Sequence, residues 1–393
     1  MTDHETFHML LGDDGQRLLA AIAARGLTEA NTLALATELR HRYPAPLVAT
    51  AMTQMRLRER ARTKFGDDAA RMYFTQAGLE QATSAPVAAH RAARYRVARR
   101  IADLCCGIGG DLRLLADGHD VLAMDRDPLI VAIATANMRA LDLADHVTVR
   151  CDDVTTIDLV GYDAAFLDPA RRTAERRVFN VADYQPPWSF IATLVGRIEH
   201  VGIKVAPGIP HDLVPPDAEA EWVSLDGNVK EATLWFGALR TVGVARRATL
   251  LPSGATLTAT TREPPPITPP RRYLYEPDGA VIRAHLVAEI VESVKGALLD
   301  PTIAYITSDT LIPTPFARAY SIEDAMPFSL KRLRTYLRTR GIGHVVIKKR
   351  GSPLTPEALI GDLHLSGNDH RILFLTKVAG KHTVLIGHEG EGH

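Results

Sequence analysis

Ile101-Ala102-Asp103-Leu104-Cys105-Cys106-Gly107-Ile108-Gly109-Gly110-Asp111 reads as a short apolar strand running into a glycine-rich turn, with a helix to follow. Glycine is wanted in such a turn because a bound molecule approaches the backbone where a side chain would clash. Beyond it the patterns alternate: helical LRLLA, strand DVLAMD, helical IVAIATANMRAL, then strands VTVRC and AAFLD. This alternation predicts a parallel sheet covered by helices, an α/β fold of Rossmann-like type.

Working outward, HVGIKV, EWVSLD, EATLWFG and TVGVARRATL read as further strands, with a hairpin among the last of them. Upstream, LLAAIAARGL and LALATELRHRY repeat apolar residues at helical spacing, so residues 1–98 are expected to be a helical domain. Ser84 is a candidate cap for a helix starting near Pro86. The Rossmann-like domain is placed at 99–261. REPPPITPPRR then forms a proline-rich linker that can continue neither helix nor central strand. Residues 272–393 read as a small α+β domain: helix IRAHLVAEIVESV, helix SLKRLRTYLRTRG, strand HVVIKKRG, helix PEALIGDLHL, and strands RILFLTKVAG and KHTVLIG.

A length of 393 residues fits two or three domains. Lys plus Arg and Asp plus Glu are both 46, so any basic surface must be local. Three cysteines without metal-ligand spacing argue against a disulfide framework and against structural zinc. No metal is expected. The start MTDHETFHML lacks an apolar signal core, and no apolar run approaches the roughly 20 residues of a membrane span. The expectation is a cytoplasmic protein with no membrane partner; the composition says nothing of oligomeric state.

Two cofactor classes use a turn of this kind. A dinucleotide site wants G-x-G-x-x-G, and Leu112 stands at the third glycine. S-adenosylmethionine carries no phosphate and instead needs acceptors for its amino group and ribose hydroxyls. Asp103 suits the amino group, and Asp125, ending VLAMD, suits the ribose. Arg126 follows, then Asp127-Pro128 as a helix cap with proline at the first helical position. Asp152 and Asp153 follow the third strand, where an acid can accept from the adenine amine. Asp168-Pro169-Ala170-Arg171 ends the fourth, at the crevice over the strands' carboxyl ends. Four acid-bearing strand ends in succession favour S-adenosylmethionine.

This block resembles the class I methyltransferases, and within them the trimethylguanosine synthase branch, in Asp103, in Cys106-Gly107-Ile108-Gly109-Gly110 and in Asp125-Arg126-Asp127-Pro128. Gly78, Thr83, Val87, Ala88 and His90 fall where that branch has a helical lead-in closing over the cofactor. The whole chain resembles a bacterial methyltransferase family with a THUMP-like C-terminal domain, in GLEQATS, CCGIGGD, DPAR and the late KKRG. The resemblance implies S-adenosylmethionine bound by Glu80, Thr83, Asp103, Cys105, Gly107, Gly109, Asp125, Arg126, Asp152, Asp153 and Asp168. The THUMP-like module implies an RNA partner, since THUMP modules bind RNA, while the catalytic candidates Asp168, Pro169 and Arg171 rest on their place at the end of the fourth strand, where an acid can orient an incoming base amine. One departure is plain. Where trimethylguanosine synthase has Pro-Pro-Trp after the fourth strand, this chain has Asp168-Pro169-Ala170-Arg171. Gln185-Pro186-Pro187-Trp188 reads as a loop into helix WSFIATLV, with Trp188 packing.

Cys105 and Cys106 have no Pro-Cys nucleophile setting and read as packing and turn residues, while Cys151 is expected to be buried on its strand. Glu80 is expected to orient the lead-in, and His90 reads as structural. Arg171 and Arg172 are candidates for binding a phosphate. The arginines from Arg56 to Lys64 suit a salt-bridged helix face. Lys331, Arg332, Arg334, Arg338 and Arg340, with Lys348, Lys349 and Arg350, suit a phosphate-tracking surface. The function expected is methyl transfer to a base nitrogen of an RNA. Methylation of a small molecule or protein remains open, as does a non-catalytic RNA-binding protein that keeps the fold.

Overall fold

The computed structural model describes residues 2–171, 184–260 and 263–390. The chain divides into two compact units, Met1–Glu219 with Glu231–Gly243, and Ala220–Lys230 with Val244–His393.

The first unit opens with helices α1 (Asp3–Leu11), α2 (Asp13–Arg25), α3 (Thr32–Arg40) and α4 (Ala45–Phe65), followed by α5 (Gln76–Gln81) and α6 (Ala85–Ala92). Strands β1 (Arg100–Leu104), β2 (Asp120–Asp125), β3 (Val147–Cys151) and β4 (Ala164–Leu167) come next, with α7 (Leu112–Leu115) and α8 (Pro128–Ala140) between them. Two-residue strands β5 (Ala170–Arg171) and β6 (Tyr184–Gln185) precede α9 (Trp188–Val195) and β7 (His200–Val205); next in the chain come β8 (Glu219–Leu225), which falls in the second unit apart from Glu219, and β9 (Asn228–Trp235), which returns to the first at Glu231. In this unit the sheet order is β3-β2-β1-β4-β7-β9, with every pair parallel except the antiparallel β7–β9. This is the Rossmann-like class I methyltransferase sheet.

Asp127 caps α8 by accepting from the backbone N–H of Leu129 and Ile130, with Pro128 opening the helix, as its sequence predicts. Ser84 stands at the N-cap of α6, but its side chain makes no capping hydrogen bond. Apolar residues of α1 to α4 pack in one cluster with Ile108 of the glycine turn and Ile133 of α8. Asn137, fully buried, joins the same two regions: its amide donates to the carbonyls of Tyr73 and Ile108 and its oxygen accepts from Tyr73 N–H. The N-terminal helices are thereby tied to the turn that shapes the site.

The second unit pairs β8 in parallel with β10 (Arg246–Leu251), and β10 with β11 (Ala255–Thr258) antiparallel. Its larger sheet comprises β12 (Tyr273–Pro277), β13 (Ala297–Asp300), β14 (Ile303–Ser308), β15 (Ala317–Pro327), β16 (Ile342–Lys349), β17 (Asp369–Val378) and β18 (Lys381–Glu389). They run in the order β13-β14-β12-β15-β18-β17-β16. The segment IRAHLVAEIVESV is not one helix: α10 (Gly279–Arg283) and α11 (Val287–Ser293) are separated at His285, whose φ of 55° lies in the left-handed region that interrupts a helix. The helices α12 (Leu330–Thr339) and α13 (Pro356–Leu363) cover the sheet through Leu333, Leu337, Leu359 and Leu363.

Cys151 is exposed, contrary to the sequence expectation. It lies on β3, the last strand at that edge of the sheet, whose outer residues have no neighbouring strand to cover them. No helix among the described residues is long and apolar enough to cross a membrane.

Candidate active site

Strand register assembles the site. Asp103 lies opposite Ala123 on β2 and Phe166 on β4, so Asp125 and Asp168, each two residues further on, project on the same sheet face. The β4–β7 register ends at Leu167 opposite Ile203, which sets Asp168 beside Lys204. Lys204 in turn lies opposite Thr233 of β9, two residues from Glu231. One face at the carboxyl edge of the parallel strands therefore carries Asp103, Asp125, Asp168, Lys204 and Glu231.

These groups form a connected polar chain. Lys204 Nζ donates to Asp168 Oδ2 at 2.7 Å and to Thr83 Oγ1 at 3.1 Å. Thr83 Oγ1 donates to Asp111 Oδ2 at 3.1 Å. Arg91, buried, bridges Asp111 and Glu231, with its guanidinium 4.7 Å from the Phe166 ring centre. Burial by itself would lower the Arg91 and Lys204 pKa values. The surrounding carboxylates outweigh it and hold both cations above their ordinary range, Asp111 and Glu231 for Arg91 and Asp168 for Lys204.

Asp103 is the exception in this chain. It is 1% exposed, and neither carboxylate oxygen has a hydrogen-bond partner among the described residues. Burial, then the neighbouring charges of Asp111 and Asp168, push its pKa well above the usual carboxylate range. An ionisable group left orphaned in the interior is expensive unless a ligand supplies the missing donors.

The turn next to it is open. Gly107 sits at φ 54°, and a Cβ there would meet nothing within 4 Å. Cys105, at φ 68°, shares the left-handed backbone. Burial, with Asp125 nearby, raises the Cys105 thiol pKa, and burial does the same at Cys106, so both are held as neutral thiols. Asp125, half-buried, accepts from Gly107 N–H at 3.2 Å and from Asp127 N–H at 3.1 Å, which splays its carboxylate across the end of β2. The lead-in presses on the far side of the turn: a Cβ at Gly78 would come within 2.5 Å of the Ile108 side chain. Lys64 anchors this segment by donating to the carbonyls of Leu79, Glu80 and Ala82.

The remaining candidates are placed as follows. Glu80 is exposed, accepts from Gln76 at 3.2 Å and pairs with Arg60 at 3.7 Å. Arg126 is exposed beside the site. Asp153 accepts from the Thr155 N–H and hydroxyl, which lower its pKa. Asp152 accepts from Asp153 N–H through Oδ1 alone. Gly109, at φ 86°, packs on Met138. Pro169 is buried and leads into the β5–β6 pair, which brings Tyr184 and Gln185 back alongside Ala170 and Arg171. Trp188, half-exposed, meets Tyr184 edge-on at 5.7 Å. The Arg171 side chain and Arg172 lie outside the described residues. Lys204, Asp111, Arg91 and Glu231 were not singled out from the sequence. The usable signal was a lone lysine in the apolar strand HVGIKV, since a charge on a buried strand needs a partner.

These residues fit S-adenosylmethionine. The orphaned Asp103 carboxylate can take the three donors of an ammonium group, and the open Gly107 turn leaves room for close approach. Asp103, Asp111, Asp168 and Glu231 set four carboxyl groups against the two cations Arg91 and Lys204, which suits a ligand with positive centres. No group of three or more His, Cys, Asp or Glu side chains suited to a metal ion occurs among the described residues.

Comparison with known proteins bears on the family. Residues 317–389 match a family described as THUMP domain-like, and residues 3–61 match a domain family of unknown function. Two proteins of Mycobacterium tuberculosis, from strains CDC 1551 and H37Rv, are named uncharacterized S-adenosylmethionine-dependent methyltransferases. Each is 34% identical over 334 residues, spanning 82% of this chain and 90% of its own length. The solved structure of a "putative methyltransferase" from Porphyromonas gingivalis W83 superposes with a TM-score of 0.74 over 89% of this chain and 92% of its own, at 22% identity, a likeness of fold. The chain belongs to the S-adenosylmethionine-dependent methyltransferases.

Proposed function

We propose that the protein methylates a base nitrogen of an RNA, with Asp168 as the group that orients the accepting amine. The cofactor, when bound, supplies a methyl group already activated by its sulfonium. The chain's task is then to hold, to align and to exclude water. Asp103 holds the amino group, Asp125 the ribose hydroxyls and Asp152 the adenine amine. The glycine turn at Gly107 and Gly109 admits the ligand to the backbone, and Thr83 fixes the lead-in beside it. Asp168, with Pro169 limiting the backbone after it, presents a carboxylate that can accept from an incoming amine and offset the charge that grows on it during transfer. Asp125→Ala should weaken S-adenosylmethionine binding by about 1.5–3 kcal/mol, the scale for hydrogen bonds to a charged group. Calorimetry on the folded variant checks this, and unchanged affinity removes the ribose role.

What supports an RNA acceptor is a row of cations within the THUMP-like region. On and just after α12, Lys331, Arg332, Arg338 and Arg340 are exposed. The late KKRG segment contributes less than its sequence suggested: Lys348 pairs with Glu276 at 2.6 Å, Arg350 with the same carboxylate at 3.6 Å, and Lys349 donates to the Leu354 carbonyl. The α12 row therefore carries the RNA-binding role. Replacing Lys331 and Arg332 with Glu in the full chain should weaken RNA binding across sequences. It should also reduce the salt slope by about one unit for each phosphate the row no longer neutralises, leaving cofactor affinity unchanged. Point changes are the suitable tool. Cutting after Pro327 would strip β18 from β15 and remove Phe374 and Leu385 from the core they share with Tyr305 and Tyr320. The experiment that tests the whole reading is mass spectrometry of RNA nucleosides from cells with and without the protein. Loss of one N-methylated nucleoside is the expected result. An unchanged RNA profile with a protein or metabolite losing a methyl group overturns it.

A further inference from the structure

We propose that Lys204 is a positioning residue of the methyl-transfer site, the tie that fastens the lead-in segment to the Asp168 edge of the sheet. The inference rests on the cofactor site assigned above. Lys204 stands on β7, and its ammonium reaches two elements distant from it in sequence, Asp168 at the end of β4 and Thr83 between α5 and α6. Thr83 passes the link to Asp111 in the glycine turn. Four elements around the proposed cofactor site thus meet through two adjoining side chains.

Three observations set this apart from an ordinary surface ion pair. The Lys204 side chain is only 18% exposed and that of Asp168 32%, so the pair is partly withdrawn from water and less screened than a surface pair. The hydrogen-bond direction is determined along the chain: the ammonium can only donate, Thr83 therefore accepts from it, and its own hydroxyl proton goes to Asp111. A lysine on a sheet strand is also costly to bury, and the sequence at 201–205 is otherwise apolar or glycine. An uncharged residue would avoid that cost if filling the strand were all that was needed. What the ammonium adds is a fixed distance between the lead-in and the carboxylate.

A tie and a mere charge predict opposite effects on ligand binding. If Lys204 acts only through its charge, removing it makes the site more negative. Cationic S-adenosylmethionine should then bind more tightly, while S-adenosylhomocysteine, which lacks the sulfonium charge, should be little affected. If Lys204 positions the lead-in, its removal loosens the wall over the site and both ligands bind more weakly, whatever their charge.

The test is isothermal calorimetry of both ligands with the full-length protein and the variants Lys204→Met, Lys204→Arg and Thr83→Val. Thr83→Val cuts the other end of the tie without altering charge and keeps the test usable if Lys204→Met fails to fold. Lys204→Met and Thr83→Val are each expected to weaken both ligands by about tenfold, the scale of one charge-assisted hydrogen bond. The double variant should be no weaker than the worse single one, and Lys204→Arg should restore most of the affinity. Tighter S-adenosylmethionine binding with unchanged S-adenosylhomocysteine overturns the inference, as does a lowered melting temperature with both affinities intact. Asp103→Asn serves as the control. If it leaves affinity unchanged the cofactor-site assignment itself falls, whereas if it alone weakens binding only the role of Lys204 falls.

Discussion

Asp103→Asn is expected to weaken S-adenosylmethionine binding by about 10²-fold while making the cofactor-free protein more stable at neutral pH. The two effects have one cause. Asp103 is buried with both oxygens unpartnered among the described residues, so in the cofactor-free protein it is an uncompensated acid. Its folded-state pKa is raised by burial and by Asp111 and Asp168. A raised carboxyl pKa means the folded chain holds the proton more tightly than the unfolded chain does. Its stabilising contribution is therefore complete below the ordinary carboxylate range and is lost as pH rises from there through the folded pKa. Above that range the wild type carries a constant penalty that a neutral amide does not. Asparagine matches the shape, so the melting temperature without cofactor should rise by about 2–4 °C at pH 7 and the gap should close toward pH 4. Bound cofactor should reverse the order, because on the proposed assignment its ammonium meets a carboxylate in the wild type and only an amide in the variant. Thermal melts with and without S-adenosylmethionine, across pH, check both signs. A variant less stable in both states shows Asp103 to be an ordinary core residue.

The parts of this site that were legible in the sequence are those in which neighbours in space are neighbours in the chain. Asp103 and the glycines lie within one strand-turn, and Asp127-Pro128 caps a helix by reaching two residues ahead. Local backbone chemistry decides such features. The Lys204 hydrogen bonds belong to a different class. Its partners lie 36 and 121 residues away, and the register that brings Leu167 opposite Ile203 depends on how two parallel strands slide, which neither strand states alone. Arg91 had the same obscurity. On a helix rich in alanine it reads as a solvated charge, yet the fold buries it between Asp111 and Glu231. The exposed Cys151 erred in the opposite direction, because VTVRC reads as a strand whether it is central or at an edge, and only strand order separates the two. In the second unit four of the seven strands of the larger sheet went unread: YLYEP and ALLD are too short and mixed to announce themselves as strands, and ARAYSIEDAMP mixes charged with apolar residues without a clean alternation.

Asp168→Asn is expected to lower turnover by about 10²-fold or more while leaving S-adenosylmethionine affinity close to that of the wild type. Asp168 follows AAFL at the carboxyl edge of the sheet, and Pro169 restrains the backbone just beyond it. One oxygen, Oδ2, is taken by Lys204. An amine arriving from the crevice would find the other oxygen, held in place by that same bond. The charge on Asp168 matters most when positive charge appears on the attacking nitrogen, which is the condition for an effect on turnover larger than on binding. The rival explanation is that Asp168 exists to neutralise a partly buried lysine. Asparagine separates the two. It keeps the shape and still offers Lys204 an acceptor, so the tie to Thr83 survives, but it removes the charge. If neutralising Lys204 were the whole role, the variant should melt earlier, because one partner of a partly buried pair would be left uncompensated. Its turnover should then fall only in step with the folded fraction. Initial rates with RNA from cells lacking the protein, taken well below the variant's melting temperature, measure one effect without the other. A folded variant with saturated cofactor and near-normal rate would leave Asp168 as a counter-ion and move the search for the amine acceptor to the carbonyls around it.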